Sequence, residues 1–270
     1  MSRRRIVTLA VIAALAAPLV ACSGGAATPS STATGAADDF GLGTPGVLTV
    51  ATEGTYRPFS FHEEGSGDLT GYDIEIIEAV AEKLDLDVKF EETQWDAIFA
   101  GLDAGRFDVI ANQVSINPER EEKYLFSEPY TVSPGVVVVK EDDDSISSFD
   151  DLAGKTTAQS LTSNWYELAQ ESGAQVEAVE GWAQAVALLQ QGRVDATIND
   201  NLTFLDYETT NGPTGLKIAA ETDDPAYNAF AFTKDKTALV AAIDEALAEL
   251  REEGVLAEIS EKYFGADVSQ

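Results

Sequence analysis

The sequence is poor in cysteine and histidine, with one residue of each type among its 270 residues. Such counts exclude a disulfide framework, most zinc sites and the catalytic triads that use histidine as a base. Basic residues are scarce as well, because 17 Lys and Arg stand against 47 Asp and Glu and leave a formal net charge of −30. A chain this acidic repels phosphate backbones and anionic lipid surfaces. We therefore expect no nucleic-acid partner, no metal and no cofactor.

The amino terminus has the composition of a secretory signal peptide. Basic residues 3–5 precede an apolar run over residues 6–17, which is too short to span the roughly 30 Å of a bilayer core. Residues 19–22 read Leu-Val-Ala-Cys and resemble the cleavage box of bacterial lipoproteins. The sequence thus predicts a signal peptide over residues 1–21 and a diacylated Cys22 at the mature amino terminus. The alternative is an ordinary signal peptide followed by an incidental cysteine.

A tether and a folded region follow the signal peptide. Residues 22–44 consist mostly of Ser, Gly, Ala, Thr and Pro, a composition that buries no apolar surface and is typical of a flexible linker. The whole chain is 44% hydrophobic and 9% aromatic, which is typical of a globular protein. No second apolar stretch approaches about 18 residues, so no further segment is predicted to span a bilayer.

Beyond residue 45, short β-branched runs alternate with segments of helical periodicity, the pattern of an α/β protein. Strands are predicted at residues 47–51, 88–90 and 109–111. Helices are predicted over residues 73–84 and 95–102, where apolar side chains recur on one face. The beginning of the folded region is therefore interpreted as a βαβαβ unit.

An internal repeat indicates two related lobes. Residues 102–112 match residues 189–199 at a Leu, a Gly, an Arg, an Asp and a final Asn. Each copy is interpreted as a helix end, a glycine stop and a strand that carries Asn112 or Asn199 to its carboxyl edge. Ligands of open α/β sheets bind at that edge. The repeat predicts two lobes that face one cleft, unless it is a chance similarity of two common turns.

Two charged breaks divide the folded region. The acidic run 141–144 and the Asp-Asp-Pro segment 223–225 predict a first lobe at residues 45–138 and 229–270, with a second lobe at 139–228. In this arrangement the chain crosses between the lobes twice. Two crossovers form a hinge.

Polar residues at the predicted strand ends suggest an amino acid ligand. Asn117 and Pro118 are typical of a helix start, and Arg120 follows them. Arginine binds a carboxylate through two parallel hydrogen bonds, so a carboxylate ligand is expected here. The alternative for Arg120 is a structural ion pair with a nearby acidic residue. Asp200 follows the second predicted strand and would either hold an ammonium group or cap the next helix. Residues 160–164 precede a helical segment and expose backbone donors.

These residues resemble the solute-binding proteins of ATP-driven polar amino acid importers. The resemblance covers residues 47–268 and implies an α/β protein of the type II periplasmic-binding fold, with two lobes joined by a two-crossover hinge. The motifs that carry it are Glu53-Gly54-Thr55-Tyr56, Gly71-Tyr72-Asp73, Trp95-Asp96, the loop from Asn112 to Arg120, Phe126-Ser127 with Pro129-Tyr130, and Tyr263-Phe264-Gly265. Among family members the sequence looks most similar to those that bind L-cystine.

The resemblance also implies roles for individual residues. Arg120 would pair with the α-carboxylate of the ligand, and Asp200 with the α-ammonium, assisted by the Gln113 carbonyl. Further hydrogen-bond donors to the carboxylate would come from Ser115, Thr162 and Ser163. Residues expected around the ligand side chain are Tyr56 and Trp95 as an aromatic sandwich, with Glu53, Asn112 and Gln159 as polar lining. For Tyr56 and Trp95, core packing is the alternative.

The resemblance predicts a monomeric, extracytoplasmic binding protein that is held at the membrane by a lipid and delivers its ligand to an ABC transporter permease. Another polar amino acid, such as glutamine, glutamate or a basic one, is an alternative ligand. A dehydratase-type enzyme on the same fold is a further alternative. The only histidine, His62, lies in an acidic, glycine-rich stretch typical of an exposed turn, so no catalytic residue is predicted. A receptor sensor domain is disfavoured because no membrane helix follows.

Overall fold

The computed structural model describes residues 40–270. The predicted signal peptide, Cys22 and most of the predicted tether lie outside the described residues. The strands are β1 (Val47–Thr52), β2 (Thr55–Tyr56), β3 (Ser60–His62), β4 (Leu69–Thr70), β5 (Asp87–Glu92), β6 (Val109–Ser115), β7 (Tyr124–Phe126), β8 (Thr131–Ser133), β9 (Gly135–Lys140), β10 (Thr156–Gln159), β11 (Gln175–Ala178), β12 (Thr197–Asp200), β13 (Leu216–Glu221) and β14 (Ala226–Thr233). The helices are α1 (Tyr72–Lys83), α2 (Trp95–Asp103), α3 (Pro118–Lys123), α4 (Asn164–Glu171), α5 (Trp182–Gln190), α6 (Asn201–Asn211), α7 (Thr237–Glu252) and α8 (Val255–Phe264), with a 3₁₀ helix at Phe149–Leu152.

The first lobe is built on a six-stranded sheet with the order β5-β1-β6-β14-β7, and β8 also pairs with β14. β1 is parallel to β5 and β6, whereas β14 runs antiparallel to β6, β7 and β8. Alternate residues of each strand face opposite sides of the sheet. Val50 therefore belongs to a core cluster that includes Ile77 of α1 and Leu247 of α7, while Ala51 belongs to another that includes Ile98 of α2.

The second lobe contains the antiparallel sheet β12-β9-β13 and the parallel pair β10-β11. An isolated bridge between Thr157 and Ala196 links the two groups of strands. β9 is apolar along its length because both of its faces are covered. Val136 and Val138 belong to one core cluster with residues of α5, whereas Val137 and Val139 belong to another with Ala169 of α4.

The chain passes between the lobes at residue 134 and again at residues 222–225, because β8 and β14 pair in the first sheet and β9 and β13 in the second. The charged runs of the sequence instead predict lobe boundaries at 138/139 and 228/229. The acidic run 141–144 follows the far end of β9, so it marks the end of a strand rather than the change of lobe.

The two crossovers are paired with each other. The Gly135 amide donates to the Thr222 hydroxyl over 3.0 Å, and the Thr222 amide donates to the Gly135 carbonyl over 2.8 Å. The indole of Trp165 covers this point so closely that a Cβ on Gly135 would lie 2.4 Å from the ring. The absence of a side chain at Gly135 therefore allows the indole to pack on the hinge.

Both copies of the internal repeat have the same local structure. α2 and α5 each end before a glycine with positive φ, +66° at Gly105 and +71° at Gly192. In each copy the amide of the following arginine donates back to a helix carbonyl over 3.0 Å, from Arg106 to Gly101 and from Arg193 to Leu188. These bonds close the helix end with the left-handed glycine that such a turn requires.

Candidate ligand-binding site

A cavity of about 400 Å³ lies between the two lobes and is lined by residues of both. The predicted site residues that line it are Glu53, Tyr56, Trp95, Asn112, Gln113, Gln159 and Ser163. The remaining predicted residues lie beside it, joined by hydrogen bonds to one another or to lining residues; they are Ser115, Arg120, Thr162 and Asp200. Asn112 and Asn199 of the internal repeat both line the cavity, one from each lobe, as the repeat predicts.

Glu53 and Asn112 form a reciprocal pair on the first-lobe wall. The Asn112 side-chain amide donates to Glu53 Oε2 over 2.7 Å, and the Glu53 backbone amide donates to Asn112 Oδ1 over 2.8 Å. Burial raises the pKa of the Glu53 carboxyl to about 7, with the Asn112 hydrogen bond opposing the shift. A cationic ligand group would favour the ionised carboxylate at this position.

Gln113 adopts a left-handed backbone conformation, with φ of +48°. Its backbone amide donates to Asp73 Oδ2, and its side-chain amide donates to Asp200 Oδ2 over 3.1 Å. Burial raises the pKa of the Asp73 carboxyl to about 8. Asp73 thus holds the strained residue whose side chain reaches across the cleft to the second lobe.

Arg120 is 8% exposed and lies on the short helix α3, whose amino end is capped by the Asn117 side chain. Its guanidinium donates to the Ser115 carbonyl over 2.9 Å and to the Thr162 carbonyl of the second lobe over 3.4 Å. The guanidinium carbon lies 5.3 Å from the centre of the Trp95 ring. Burial lowers the pKa of Arg120 to about 10. The structure contains no ion pair to Arg120 among the described residues, so the alternative of a structural ion pair gains no support.

Asp200 caps helix α6 and also faces the cleft. Its Oδ1 accepts from the Leu202 amide over 2.9 Å, and its Oδ2 accepts from the Ser133 hydroxyl over 2.6 Å and from Gln113. Burial raises the pKa of the Asp200 carboxyl. The capping alternative from the sequence is therefore present, and Oδ2 remains directed toward groups of the first lobe.

The two lobes also touch directly across the cleft. The Tyr56 hydroxyl donates to Asn199 Oδ1 over 2.7 Å. The backbone amide and hydroxyl of Thr162 both donate to Asp96 Oδ1, over 3.2 and 2.8 Å. The hydroxyl of Ser115 is used within the first lobe, where it donates to Asn228. Hydrogen bonds from Tyr56 and Thr162 therefore join the two lobes directly.

Several polar atoms of the cavity wall are buried without a hydrogen-bond partner among the described residues. The donors are Trp95 Nε1, Gln159 Nε2 and Trp182 Nε1, and the acceptor is Gln113 Oε1. A buried polar group without a partner is costly. Their shared position indicates a ligand that supplies both acceptors and a donor.

Sequence reasoning missed the wall formed by the start of α5. Gly181, Trp182, Ala183 and Gln184 all line the cavity. They follow β11, a short and partly exposed strand, so no apolar run draws attention to them. Their position in the chain could have indicated them, because they lie at the start of a helix that follows a strand, as the predicted residues 160–164 do. Trp95 is both a core residue and a lining residue, since it packs with Ile98 and also faces the cavity.

His62 lies outside the cavity lining. One ring nitrogen is 2.7 Å from the Gly67 carbonyl and the other is 3.0 Å from Glu92 Oε2, at an exposed hairpin. Over residues 40–270, no helix has the length and apolar character needed to cross a membrane. The same residues contain no cluster of three or more His, Cys, Asp or Glu side chains placed to hold a metal ion.

Residues 48–266 match the model of the bacterial extracellular solute-binding proteins, family 3. The chain belongs to this family. The resemblance stated from the sequence motifs is thereby confirmed, as is the predicted α/β fold of two lobes with a two-crossover hinge.

Relatives in this family include an amino acid-binding protein of similar length. The L-cystine-binding protein TcyA of Bacillus subtilis is 53% identical over 225 residues, which cover 83% of this chain and 84% of the relative.

Two solved structures are similar to this chain over most of its length. The L-cystine solute receptor of Neisseria gonorrhoeae, in its unliganded open conformation, is 47% identical, with 83% of this chain and 95% of that chain covered and a TM-score of 0.58. An ancestral arginine-binding protein bound to arginine is 36% identical, with 82% of this chain and 99% of that chain covered and a TM-score of 0.76.

Proposed function

We propose that this protein is the extracytoplasmic substrate-binding component of an amino acid ABC importer and that its ligand is L-cystine. The observation that carries the proposal is that two buried charges from opposite lobes, Arg120 and Asp200, each lie next to a residue of the cavity lining. The Arg120 guanidinium carbon is 5.3 Å from the centre of the Trp95 ring, and Asp200 accepts from the side chain of Gln113. The names of the B. subtilis relative and of the N. gonorrhoeae receptor support cystine as the ligand. In this proposal the protein carries out no chemical reaction on its ligand.

In this proposal, Arg120 binds the ligand α-carboxylate and Asp200 binds the α-ammonium. The guanidinium now donates to the carbonyls of Ser115 and Thr162, and a carboxylate would replace these neutral acceptors with a charged one. The side-chain amide of Gln113 donates to Asp200, and an ammonium would replace this neutral donor with a charged one. Each lobe supplies one charge, so a bound amino acid favours the arrangement in which the lobes meet.

L-cystine has a second α-amino acid end, and the cavity offers polar groups to receive it. The groups beyond the Arg120 and Asp200 pair are Glu53, Asn112 and Gln159. Glutamine has a single charged end and would leave part of this lining without a partner, which costs about 1–3 kcal/mol for each unsatisfied buried group. The volume of about 400 Å³ lies within the range of roughly 300–1,000 Å³ that small-molecule sites occupy.

The dehydratase alternative gains no support from the position of the only imidazole. His62 lies at an exposed hairpin and is absent from the cavity lining. A proton-transfer role requires the group within hydrogen-bond reach of the substrate. Binding followed by delivery to a permease is therefore the function we propose.

L-cystine is expected to raise the melting temperature of the protein more than glutamine, arginine or glutamate at equal concentration. At about 100 times its dissociation constant a ligand stabilises by roughly 2.7 kcal/mol, or about 5–10 °C for a chain of this size. Differential scanning fluorimetry measures the shift, and small-angle X-ray scattering should show a smaller radius of gyration with cystine. A panel in which another amino acid stabilises strongly while cystine has no effect would end the cystine assignment.

We propose that Cys22 carries a lipid that anchors the monomeric protein to the membrane beside its permease. The resemblance of residues 19–22 to a lipoprotein box supports this. Cys22→Ala should move the protein from the membrane fraction to the soluble fraction and leave cystine affinity unchanged, because among the described residues the cavity lining begins at Glu53 in the sequence. Fractionation with immunoblotting measures the change, with Ser23→Ala as the matched control. Membrane association that persists in Cys22→Ala contradicts the anchor.

A further inference from the structure

The amino-terminal end of α5 opens into the cavity. The helix begins at Trp182 after Gly181, and no side chain caps it. Its first intrahelical bond runs from the Ala185 amide to the Gly181 carbonyl over 3.1 Å. The amides that precede Ala185 in the first turn have no acceptor within the helix, and residues 181–184 all line the cavity. Such an end attracts an anion through its free amides and the helix dipole.

A second observation points to a ligand at the same place. Gln159, at the end of β10, is 4% exposed, and its Nε2 has no partner among the described residues. The indole nitrogen of Trp182 is likewise buried and unpartnered. Both residues line the cavity, and the Gln159 carbonyl accepts from Val179, which fixes β10 beside the segment that leads into α5. Two side-chain donors therefore accompany the open helix end.

An acid faces this group of donors from the other lobe. Glu53 Oε1 lies 4.0 Å from the point that a Cβ of Gly181 would occupy. Its other carboxylate oxygen accepts from Asn112, so its position is held from the first lobe. A site that attracts an anion and a site that attracts a cation thus lie next to each other across the cleft. An α-amino acid carries its carboxylate and its ammonium on one carbon, which matches this spacing.

We propose that the amino-terminal end of α5, with Gln159 and Trp182, binds the carboxylate of a second α-amino acid end of the ligand, and that Glu53 binds its ammonium. This inference rests on the proposed amino acid-binding function and specifies the ligand class as a molecule with an α-amino acid at both ends. Trp182 and Gln159 are then specificity-determining residues. They select against ligands that lack the second carboxylate.

Calorimetry with three disulfide ligands tests the inference. L-cystine has both distal charges, the mixed disulfide of L-cysteine and cysteamine lacks the distal carboxylate, and that of L-cysteine and 3-mercaptopropionate lacks the distal ammonium. The full chain carries Cys22→Ala in every sample, so that no thiol exchanges with the ligands, since Cys22 is the only cysteine. The unmodified cavity should bind L-cystine about 10-fold to 100-fold more tightly than the cysteamine disulfide.

Gln159→Met and Trp182→Phe then remove the two donors and retain the bulk of each side chain. Trp182→Phe keeps a ring beside Tyr207, against which the indole now packs. Each variant should lose about 10-fold in affinity for L-cystine and for the mercaptopropionate disulfide, while its affinity for the cysteamine disulfide stays unchanged. Gln191→Met, at the exposed opposite end of α5, is the matched control and should bind all three ligands normally.

The outcomes separate this inference from the proposed function. An equal loss of affinity for L-cystine and the cysteamine disulfide in both variants, or equal binding of these two ligands by the unmodified cavity, overturns the inference and leaves cystine binding in place. Binding of none of the three ligands overturns the proposed function and the inference together. Melting temperatures of the variants without ligand identify any loss that arises from misfolding.

Discussion

Arg120→Ala is expected to lower the affinity for L-cystine by about two to four orders of magnitude, since removing one partner of a desolvated charge pair typically costs about 3–5 kcal/mol. Arg120 is 8% exposed and donates to carbonyls of both lobes, so the proposed carboxylate contact would be shielded from water. Isothermal titration calorimetry measures the loss. The fold should survive, because the guanidinium contacts neutral acceptors rather than a structural acid.

Arg120→Lys tests the geometry of the contact. A lysine ammonium supplies the charge but cannot reproduce two parallel hydrogen bonds, so this variant should also bind weakly. Arg106→Ala is the matched control, because Arg106 is exposed and stacks on Phe107 at 5.8 Å, away from the cavity lining. Affinity close to that of the unmodified protein in Arg120→Ala would refute the assignment of the carboxylate to this residue.

Asp200→Asn is expected to reduce cystine affinity by a similar factor, about two to four orders of magnitude. The substitution separates the two roles of Asp200, because asparagine caps a helix as well as aspartate does. The side-chain oxygen can still accept from the Leu202 amide, whereas the negative charge for the ammonium is lost. Burial raises the pKa of the native carboxyl, so a neutral side chain should leave the melting temperature without ligand unchanged or higher.

The control for this variant is Asp144→Asn, which neutralises an exposed carboxylate paired with Lys217 on the second lobe. It should bind cystine normally. Calorimetry measures affinity and circular dichroism measures the melting temperature. If Asp200→Asn binds with unchanged affinity, Asp200 is a helix cap only, and the ammonium site lies elsewhere in the cavity.

The regular elements were predictable where periodicity and end signals agree. The helix at 95–102 and the strand at 109–111 are α2 and β6 within a few residues, because an apolar stripe and Gly105 define them locally. The change of lobe depends on strand pairing over long distances, which a charge run does not report. For that reason the boundary predicted at 138/139 falls inside the run of valines in β9, although that whole strand belongs to the second sheet.

The site was predictable where a residue carries its own chemical signal. Arg120 and Asp200 stand out as charges at helix starts, and both lie beside the cavity. The contribution of α5 carries no such signal, since its donors are backbone amides and an indole whose pattern resembles core packing. The residues around Gln113 do not indicate its left-handed conformation either. Its backbone amide donates to Asp73, a carboxylate 40 positions earlier in the sequence.

The paired crossovers at Gly135 and Thr222 restrict how the lobes separate. The two segments can bend together while both bonds are kept, whereas sliding along each other would break the bonds between them. The lobes should therefore rotate about this pair of segments, and a single opening angle should describe the movement. Each closure then brings Glu53 back to its position opposite Gly181. The hinge would thus preserve the alignment of the two cavity walls on which the proposed selectivity depends.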